Sequence, residues 1–350
     1  MTADELKTEL RKLDAELANG LARRFDLLRE HPELIEQCCR PEKLVDALKA
    51  LPKDSAQLVP EAALKRILCE VQSAAANLNQ VQRIAFLGPS ATFTHQAAMR
   101  QFGPESEYLP QTTISDVFDA VIRDRATYGV VPVENSTEGS VTHTLDMFTD
   151  SDIQICAEMN MPIHHCLLSR CEKADIQVVY THPQVLGQCR IWLQRNMPEV
   201  HQVEVSSTTE AAERANREEN AAALAGRLAA ETYDLPVRAE NIEDYHGNTT
   251  RFLVLCKHTP EPTGDDKTSL LLVIRDRVGA LYDALLPFGR HEVNLTFIES
   301  RPSKRRNWEY YFFIDICGHV TEQKVQETLD DLREQCQFIK ILGSYPRAVN

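Results

Sequence analysis

The chain has 350 residues, 43% of them apolar and 26% charged, and a formal net charge of −14. That length is more than one core holds comfortably, so two or three domains are expected. The acidic balance argues against nucleic-acid binding, which needs a basic stripe to meet phosphates, so any anion site must be built locally from cations and N–H groups.

Residues 1–80 read as entirely helical. Leu6, Leu10, Leu13, Leu17 and Leu21 recur every three or four positions and form one apolar stripe. Shorter helices are predicted at 41–51 and 60–79, punctuated by Pro41, Pro52 and Pro60. The segment suits a helical packing or dimerisation module. From Arg83 the texture changes: "RIAFLG" is a short buried strand and "TFTHQAAMRQF" a helix. "TISDVFDAVIRD" follows, with Thr113 and Asp116 spaced as a capping box, then the strand "YGVVPVEN" and the helix "SVTHTLDMF". The alternation continues through "IQVVYTHPQVLGQCRIWLQRN" and "VEVSSTTEAAERA", where Ser207 and Glu210 have the same spacing. Alternation of this kind predicts a largely parallel sheet flanked by helices, with ligands where strands end and helices begin.

Five polar strand exits, "GPSATFT", "VENSTEGS", "THPQ", "SSTTE" and "GNTTR", come from separate parts of the chain and suggest one cleft. The strand-rich stretch 153–169 is expected to cross between two lobes, with the return near 237–257. "GDDKTS" then reads as a linker, and residues 267–348 as a ferredoxin-like βαββαβ unit. Its predicted strands are "SLLLVIR", "NLTFIESR", "WEYYFFIDIC" and "IKILGSYP", and its helices are "GALYDALLPFG" and "TEQKVQETLDDLREQC". The ten cysteines contain no C-x-x-C pair and match no zinc spacing, so no metal is expected. No apolar signal segment opens "MTADELKTELRKL" and no stretch approaches a membrane span; the chain reads as cytoplasmic, without membrane partners.

Taken in order, "GPSATFTHQAA", "VPVENSTEGSV", "THPQVLGQC", "SSTTEAA", "AENIEDYHGNTTRFLVL", "GAL" at 279–281 and "ESRP" at 299–302 resemble the P-protein family. These are prephenate dehydratases fused to a chorismate-mutase-like helical domain and a C-terminal ACT domain. The resemblance implies domains at 1–80, 82–259 and 267–348, the middle one two-lobed and periplasmic-binding-protein-like. It also implies conversion of prephenate to phenylpyruvate, water and carbon dioxide without a cofactor. Thr250 would be the catalytic residue, with its hydroxyl on the leaving C4 oxygen, and Arg251 would bear on a substrate carboxylate or on the loops that hold one. Asn135, Ser136, Gly139, Thr92, Thr94, Ser207, Thr208 and Gln188 are the remaining expected substrate-binding positions, each also suited to a helix cap or turn. Glu134 and His165 stand near the motifs, His165 as readily structural as catalytic.

The ACT resemblance implies feedback by L-phenylalanine at Gly279, Ala280, Leu281, Asn294, Glu299, Ser300, Arg301 and Pro302, in a homodimer or homotetramer. The sequence departs from the family at Ala91, where glycine or another small residue is usual. It departs further in the helical domain, where Arg24, Lys7 or Arg11, and Ser73 fit a mutase. There the Gly-x-x-Lys segment is missing, Lys43 and Leu44 replace an Arg-Glu pair, and Asn77 stands for a longer Gln or Glu. A degenerate domain retained for assembly is therefore expected. A fully bifunctional enzyme, an arogenate dehydratase and a non-catalytic two-lobed binding protein remain the alternatives.

Overall fold

The computed structural model describes residues 1–50, 59–274, 277–303 and 310–348. Leu51, Pro52, Arg275 and Trp308, at or beside predicted element ends, lie outside the described residues. Contacts divide the chain into one unit of residues 1–82 with 100–107 and another of 83–99 with 108–350.

In the first unit, Ala3–Glu30 is a 28-residue helix begun by a full capping box between Thr2 and Glu5. Helices Lys43–Lys49 and Glu61–Ala76 follow. The small core gathers Ile35, Cys39, Ala75 and Ala76 against Phe25 and Leu28. The leucine stripe is helical as predicted, yet Leu6, Leu10, Leu13 and Leu17 are 43–62% exposed. These four are left without cover among the described residues.

The strands of the second unit are β1 (Arg83–Leu87), β2 (Glu107–Gln111), β3 (Tyr128–Asn135), β4 (Gly139–Ser140), β5 (Gln154–Pro162), β6 (Cys166–Leu168), β7 (Val178–Thr181), β8 (His201–Glu204), β9 (Ala221–Ala225), β10 (Val237–Ala239) and β11 (Thr249–Cys256). They form two sheets, ordered β2-β1-β3-β11-β5, with β4 beside β3, and β10-β6-β9-β7-β8. The expectation of largely parallel sheets needs correction. β1 runs parallel to β3, and β7 to β8 and β9, but β11 is antiparallel to both neighbours and β6 to β9. The reason is the path of the chain: β5 leaves the first lobe for β6, and β11 re-enters it after β10. Two strands that carry the chain out and back lie side by side in opposite directions. No helix among the described residues is long and apolar enough to cross a membrane.

Strands β12 (Asp266–Ile274), β13 (Leu295–Pro302), β14 (Tyr310–Cys317) and β15 (Cys336–Pro346), with helices Ala280–Arg290 and Gln323–Gln335, make the βαββαβ domain in sheet order β13-β14-β12-β15. "GDDKTS" is not a free linker, since β12 starts inside it and Asp266, 2% exposed, accepts bonds from Thr263 and Gly264. This domain shares a core with the first lobe, where Leu253, Leu255 and Phe148 pack with Leu271, Phe313 and Tyr345. At Gly343 a side chain would meet the Ile155 carbonyl at 2.3 Å, so only glycine lets β15 approach β5 this closely.

A closed ion network crosses the same seam. Arg251 donates from Nε to Glu158 at 2.7 Å, and its Nη1 lies 2.6 Å from Asp315 Oδ2. Lys267 adds a second cation to Glu158 at 2.9 Å. Burial raises the Glu158 carboxyl pKa, but Arg251 and Lys267 outweigh it and hold the group below its ordinary range. Charges balanced in this way tolerate burial; one left alone does not. Glu158→Ala should therefore cost about 3–5 kcal/mol in denaturant unfolding. A loss under about 1 kcal/mol, the range of exposed pairs, would show that the seam is solvated.

Candidate functional site

β11 carries Thr249, Thr250 and Arg251 beside the Glu134–Asn135 end of β3. Thr250 pairs across the ladder with Asn135, and Arg251 with Glu134. Neighbours on a strand point to opposite faces, so Thr250 and Arg251 serve different surroundings. Asn135 fixes the polarity of the first face. Its Oδ1 accepts from Thr137 N at 3.0 Å, Thr137 Oγ1 at 2.6 Å and Glu138 N at 3.2 Å. Only the NH2 group is left to face inward, and it donates to Thr250 Oγ1 at 2.9 Å and Asn248 Oδ1 at 2.8 Å. Asn248 in turn donates to Gln188 Oε1 at 3.2 Å, which also meets His165 Nε2 at 2.8 Å. Gln188 Nε2 ends the run on Glu138 at 3.2 Å.

The result is an amide chain whose direction leaves little freedom: His165 to Gln188, Asn248 to Gln188, Asn135 to both Asn248 and Thr250. Filled from Asn135 on its acceptor side, the Thr250 hydroxyl directs its own hydrogen away from the chain. Asn248, 3% exposed, was missed in the sequence reading. The signal that could have found it is the two-residue spacing to Thr250, which puts both on one face of an extended segment.

Other predicted positions join this group through further contacts. Phe93 packs edge-on against His165 at 5.3 Å between ring centroids. Thr209 Oγ1 donates to the Ser90 carbonyl at 2.6 Å, joining the "GPSATFT" and "SSTTE" segments. Ser136 pins the returning chain by accepting from Thr249 N at 2.9 Å and donating to Gly247 O at 3.3 Å. Thr92 and Ser207 are occupied as caps, of His95 N and Glu210 N respectively, while Thr94 and Thr208 are buried. Gly139 turns the chain at φ 82°, a left-handed conformation that suits glycine. Ala91 has φ 64°, a left-handed conformation that would suit the glycine implied there by the resemblance. That conformation costs an alanine about 1–2 kcal/mol, and the buried methyl recovers about 0.8 kcal/mol, so the substitution is bearable.

Arg251 is not brought to this face. Its guanidinium lies 9% exposed among Glu158, Asp315 and Tyr345, each of which meets one of its nitrogens, and so has no free edge for a substrate carboxylate. The expectation of direct contact between Arg251 and a substrate carboxylate is corrected accordingly; the other expected role, on the loops, is compatible with its Nη1 lying 3.9 Å from Glu134. Two residues of "ESRP" have their side chains engaged across the seam. Glu299 accepts from Ser140 Oγ at 3.1 Å and Arg301 pairs with Asp146 at 3.3 Å, both across the seam, while Ser300 and Pro302 are exposed. Gly279 has φ 78° at the start of helix Ala280–Arg290, where Leu281 is 41% exposed; Asn294 is exposed beside β13.

His165 is 1% exposed, and no hydrogen-bond partner among the described residues reaches its Nδ1. Burial holds its imidazole pKa below the ordinary value, against the opposing pulls of Gln188 and Glu243. With the folded value depressed below about 6.5, its contribution to stability is complete above that pH and is lost as pH falls through the folded value. Burial raises the carboxyl pKa of Glu243, but bonds from His164 and the His165 N–H more than offset this and depress it, so its share is lost only in the carboxylate range. The melting temperature should fall between about pH 7 and pH 5, and His165→Asn should flatten that limb. An unchanged slope in the variant would remove His165 as its source.

Among the described residues, the Cys156, Cys256 and His258 donor atoms lie within 4.8 Å of one another, a juxtaposition the spacing did not reveal. The thiols donate to carbonyls, Cys156 to Val254 at 3.7 Å and Cys256 to His258 at 3.1 Å, as buried core cysteines do.

The fold and the amide chain define a two-lobed α/β enzyme with an appended ferredoxin-like domain. The prephenate dehydratase family profile matches residues 84–260, and the ACT domain profile matches 268–334. A bifunctional chorismate mutase/prephenate dehydratase of Aquifex aeolicus is 44% identical over 99% of this chain and 98% of its own. A prephenate dehydratase of Amycolatopsis methanolica is 39% identical over 77% of this chain and 90% of its own. The crystal structure of the Arthrobacter aurescens prephenate dehydratase in complex with L-Phe superposes with a TM-score of 0.70 at 36% identity, covering 76% of this chain and 90% of that one. The chain belongs to the prephenate dehydratase family and carries an ACT domain.

Proposed function

We propose that the chain converts prephenate to phenylpyruvate, water and carbon dioxide, with Thr250 supplying the proton that lets the C4 hydroxyl leave as water. The observation supporting this role is the polarity at Thr250: Asn135 fills its acceptor side, and its hydrogen meets no protein acceptor among the described residues. Donation into Oγ1 also shares the charge that builds on the oxygen as its proton departs. As the C4–O bond breaks, the electron pair of the ring–carboxylate bond enters the ring, carbon dioxide leaves and the ring becomes aromatic. Solvent restores the proton to Thr250.

The substrate carboxylates are assigned to the turn 135–139 and to the hydroxyls and N–H groups at 92–94 and 207–208, with Gln188 at the lobe boundary. The ACT domain is assigned as a sensor of L-phenylalanine, the ligand named for the Arthrobacter relative, through Gly279, Ala280, Leu281, Asn294, Glu299, Ser300, Arg301 and Pro302. Exposed Leu6, Leu10, Leu13 and Leu17 suit self-association into a homodimer or homotetramer. The test is turnover of prephenate and arogenate by the purified chain, with L-Phe titrated by calorimetry. Phenylpyruvate from prephenate is expected, and preference for arogenate would reassign the substrate.

One observation favours a second activity in the helical unit. Arg24 Nη1, Arg40 Nε and Ser73 Oγ are buried with no hydrogen-bond partner among the described residues, and Gln72, next to Ser73, donates to the Arg40 carbonyl at 2.6 Å. Arg40 is a cation the motif comparison overlooked, and it suits a dianionic ether such as chorismate. Chorismate consumption by the full chain decides between a mutase and a domain kept for assembly.

A further inference from the structure

Arg251 has a second meaning once its surroundings are traced. Thr250 and Asn135 occupy one face of the β3–β11 ribbon, and Arg251 and Glu134 the other, as consecutive cross-strand pairs. The ladder is irregular between Arg251 and Phe252, so the pairing is least regular next to Thr250. Arg251 is gripped from the catalytic side by Glu158 on β5 at 2.7 Å and from the ACT side by Asp315 on β14 at 2.6 Å. Asp315 is itself fixed by Ser269 Oγ at 2.5 Å, and Ser269 shares a 2.6 Å bond with Tyr345, whose hydroxyl lies 3.1 Å from Arg251 Nη2. A small cavity lined by Arg251, Ser269, Phe297 and Asp315 among other residues adjoins this cluster. The ribbon is held from the ACT domain at a second point, where Ser140, paired with Glu134, donates to Glu299 at 3.1 Å.

We propose that Arg251 is a positioning residue through which Asp315 of the ACT domain sets the register of β11, and with it the Thr250–Asn135 hydrogen bond. An effector that displaces the ACT sheet pulls on Asp315, shifts Arg251 and moves the hydroxyl one residue away out of line with the leaving oxygen. Buried ion pairs suit such a link because their geometry is narrow and their loss costly, so strain passes along them rather than dissipating. The inference rests on the reading of Thr250 as proton donor and of L-phenylalanine as effector.

The test uses the full chain with prephenate and L-phenylalanine. Asp315→Asn keeps the shape and the Ser269 contact while removing the charge. It should leave the calorimetric binding of L-phenylalanine unchanged but displace half-inhibition to a concentration about tenfold higher or more. Ser269→Ala, which frees Asp315 without altering charge, should move inhibition the same way and guards against a folding defect in the first variant. Arg251→Lys should lower kcat with KM for prephenate unchanged, as positioning requires. Wild-type inhibition in both Asp315→Asn and Ser269→Ala, or a rise in KM at constant kcat in Arg251→Lys, would overturn the proposal. A wild-type chain that ignores prephenate would instead remove the functional reading beneath it, so the two failures are distinct.

Discussion

Thr250→Ala is expected to lower kcat for prephenate by about 10²–10⁴-fold, the range of a lost general acid, while KM and the unfolding midpoint stay near wild type. The reasoning is geometric. The side chain is small, sits at the start of a buried strand, and among the described residues makes one hydrogen bond, accepted from the Asn135 amide at 2.9 Å. Its removal leaves that amide still bonded to Asn248 at 2.8 Å, so neither a large cavity nor a network collapse follows. What disappears is the one hydroxyl hydrogen that the amide chain directs outward. Thr250→Ser, which keeps the hydroxyl but loosens its rotamer, should recover part of the rate. Circular dichroism and prephenate calorimetry on the alanine variant separate a catalytic loss from a folding loss.

Asn135→Asp is expected to be nearly as damaging, with kcat lowered about 10²–10³-fold, the scale of one lost preorganised donor. The substitution is almost isosteric and preserves the contacts of Oδ1 with Thr137 and Glu138. It replaces the inward NH2 by an acceptor. The introduced carboxylate oxygen then faces Asn248 Oδ1, and it offers the Thr250 hydroxyl a place to donate. The proton meant for the substrate is captured by the protein, at unchanged geometry. A variant near wild-type turnover would mean that the amide's polarity is irrelevant to the chemistry.

Much of this was legible in the residues. Alternation gave β1 and β3, and the Thr113–Asp116 spacing gave a full capping box in the structure. Ser207 caps Glu210 N as predicted, although Glu210 reaches back to Ser206 N instead of Ser207 N. The strand "AAALA" at 221–225 was not legible: alanine favours helix by propensity, and only complete burial between β6 and β7 makes it a strand. Arg251 shows a different limit. Strand geometry alone separates it from Thr250, but which face meets the cleft and which meets the ACT sheet depends on residues 64 positions later, at Asp315. Long-range contacts of this kind leave no local periodicity to read. The leucine stripe was legible as a helix face, while its exposure at Leu6, Leu10, Leu13 and Leu17 was not, because burial depends on what packs against a face and not on its spacing.

The central claim is that a hydroxyl presented by a chain of amides, with no cofactor, expels water and carbon dioxide from prephenate. Its most direct measurement is carbon dioxide released from ring-carboxylate-labelled prephenate by the purified chain and by Thr250→Ala, counted beside phenylpyruvate. The account predicts one carbon dioxide and one phenylpyruvate per prephenate from the wild type and almost none from the variant. Equal release from both proteins, or none from the wild type, would contradict it.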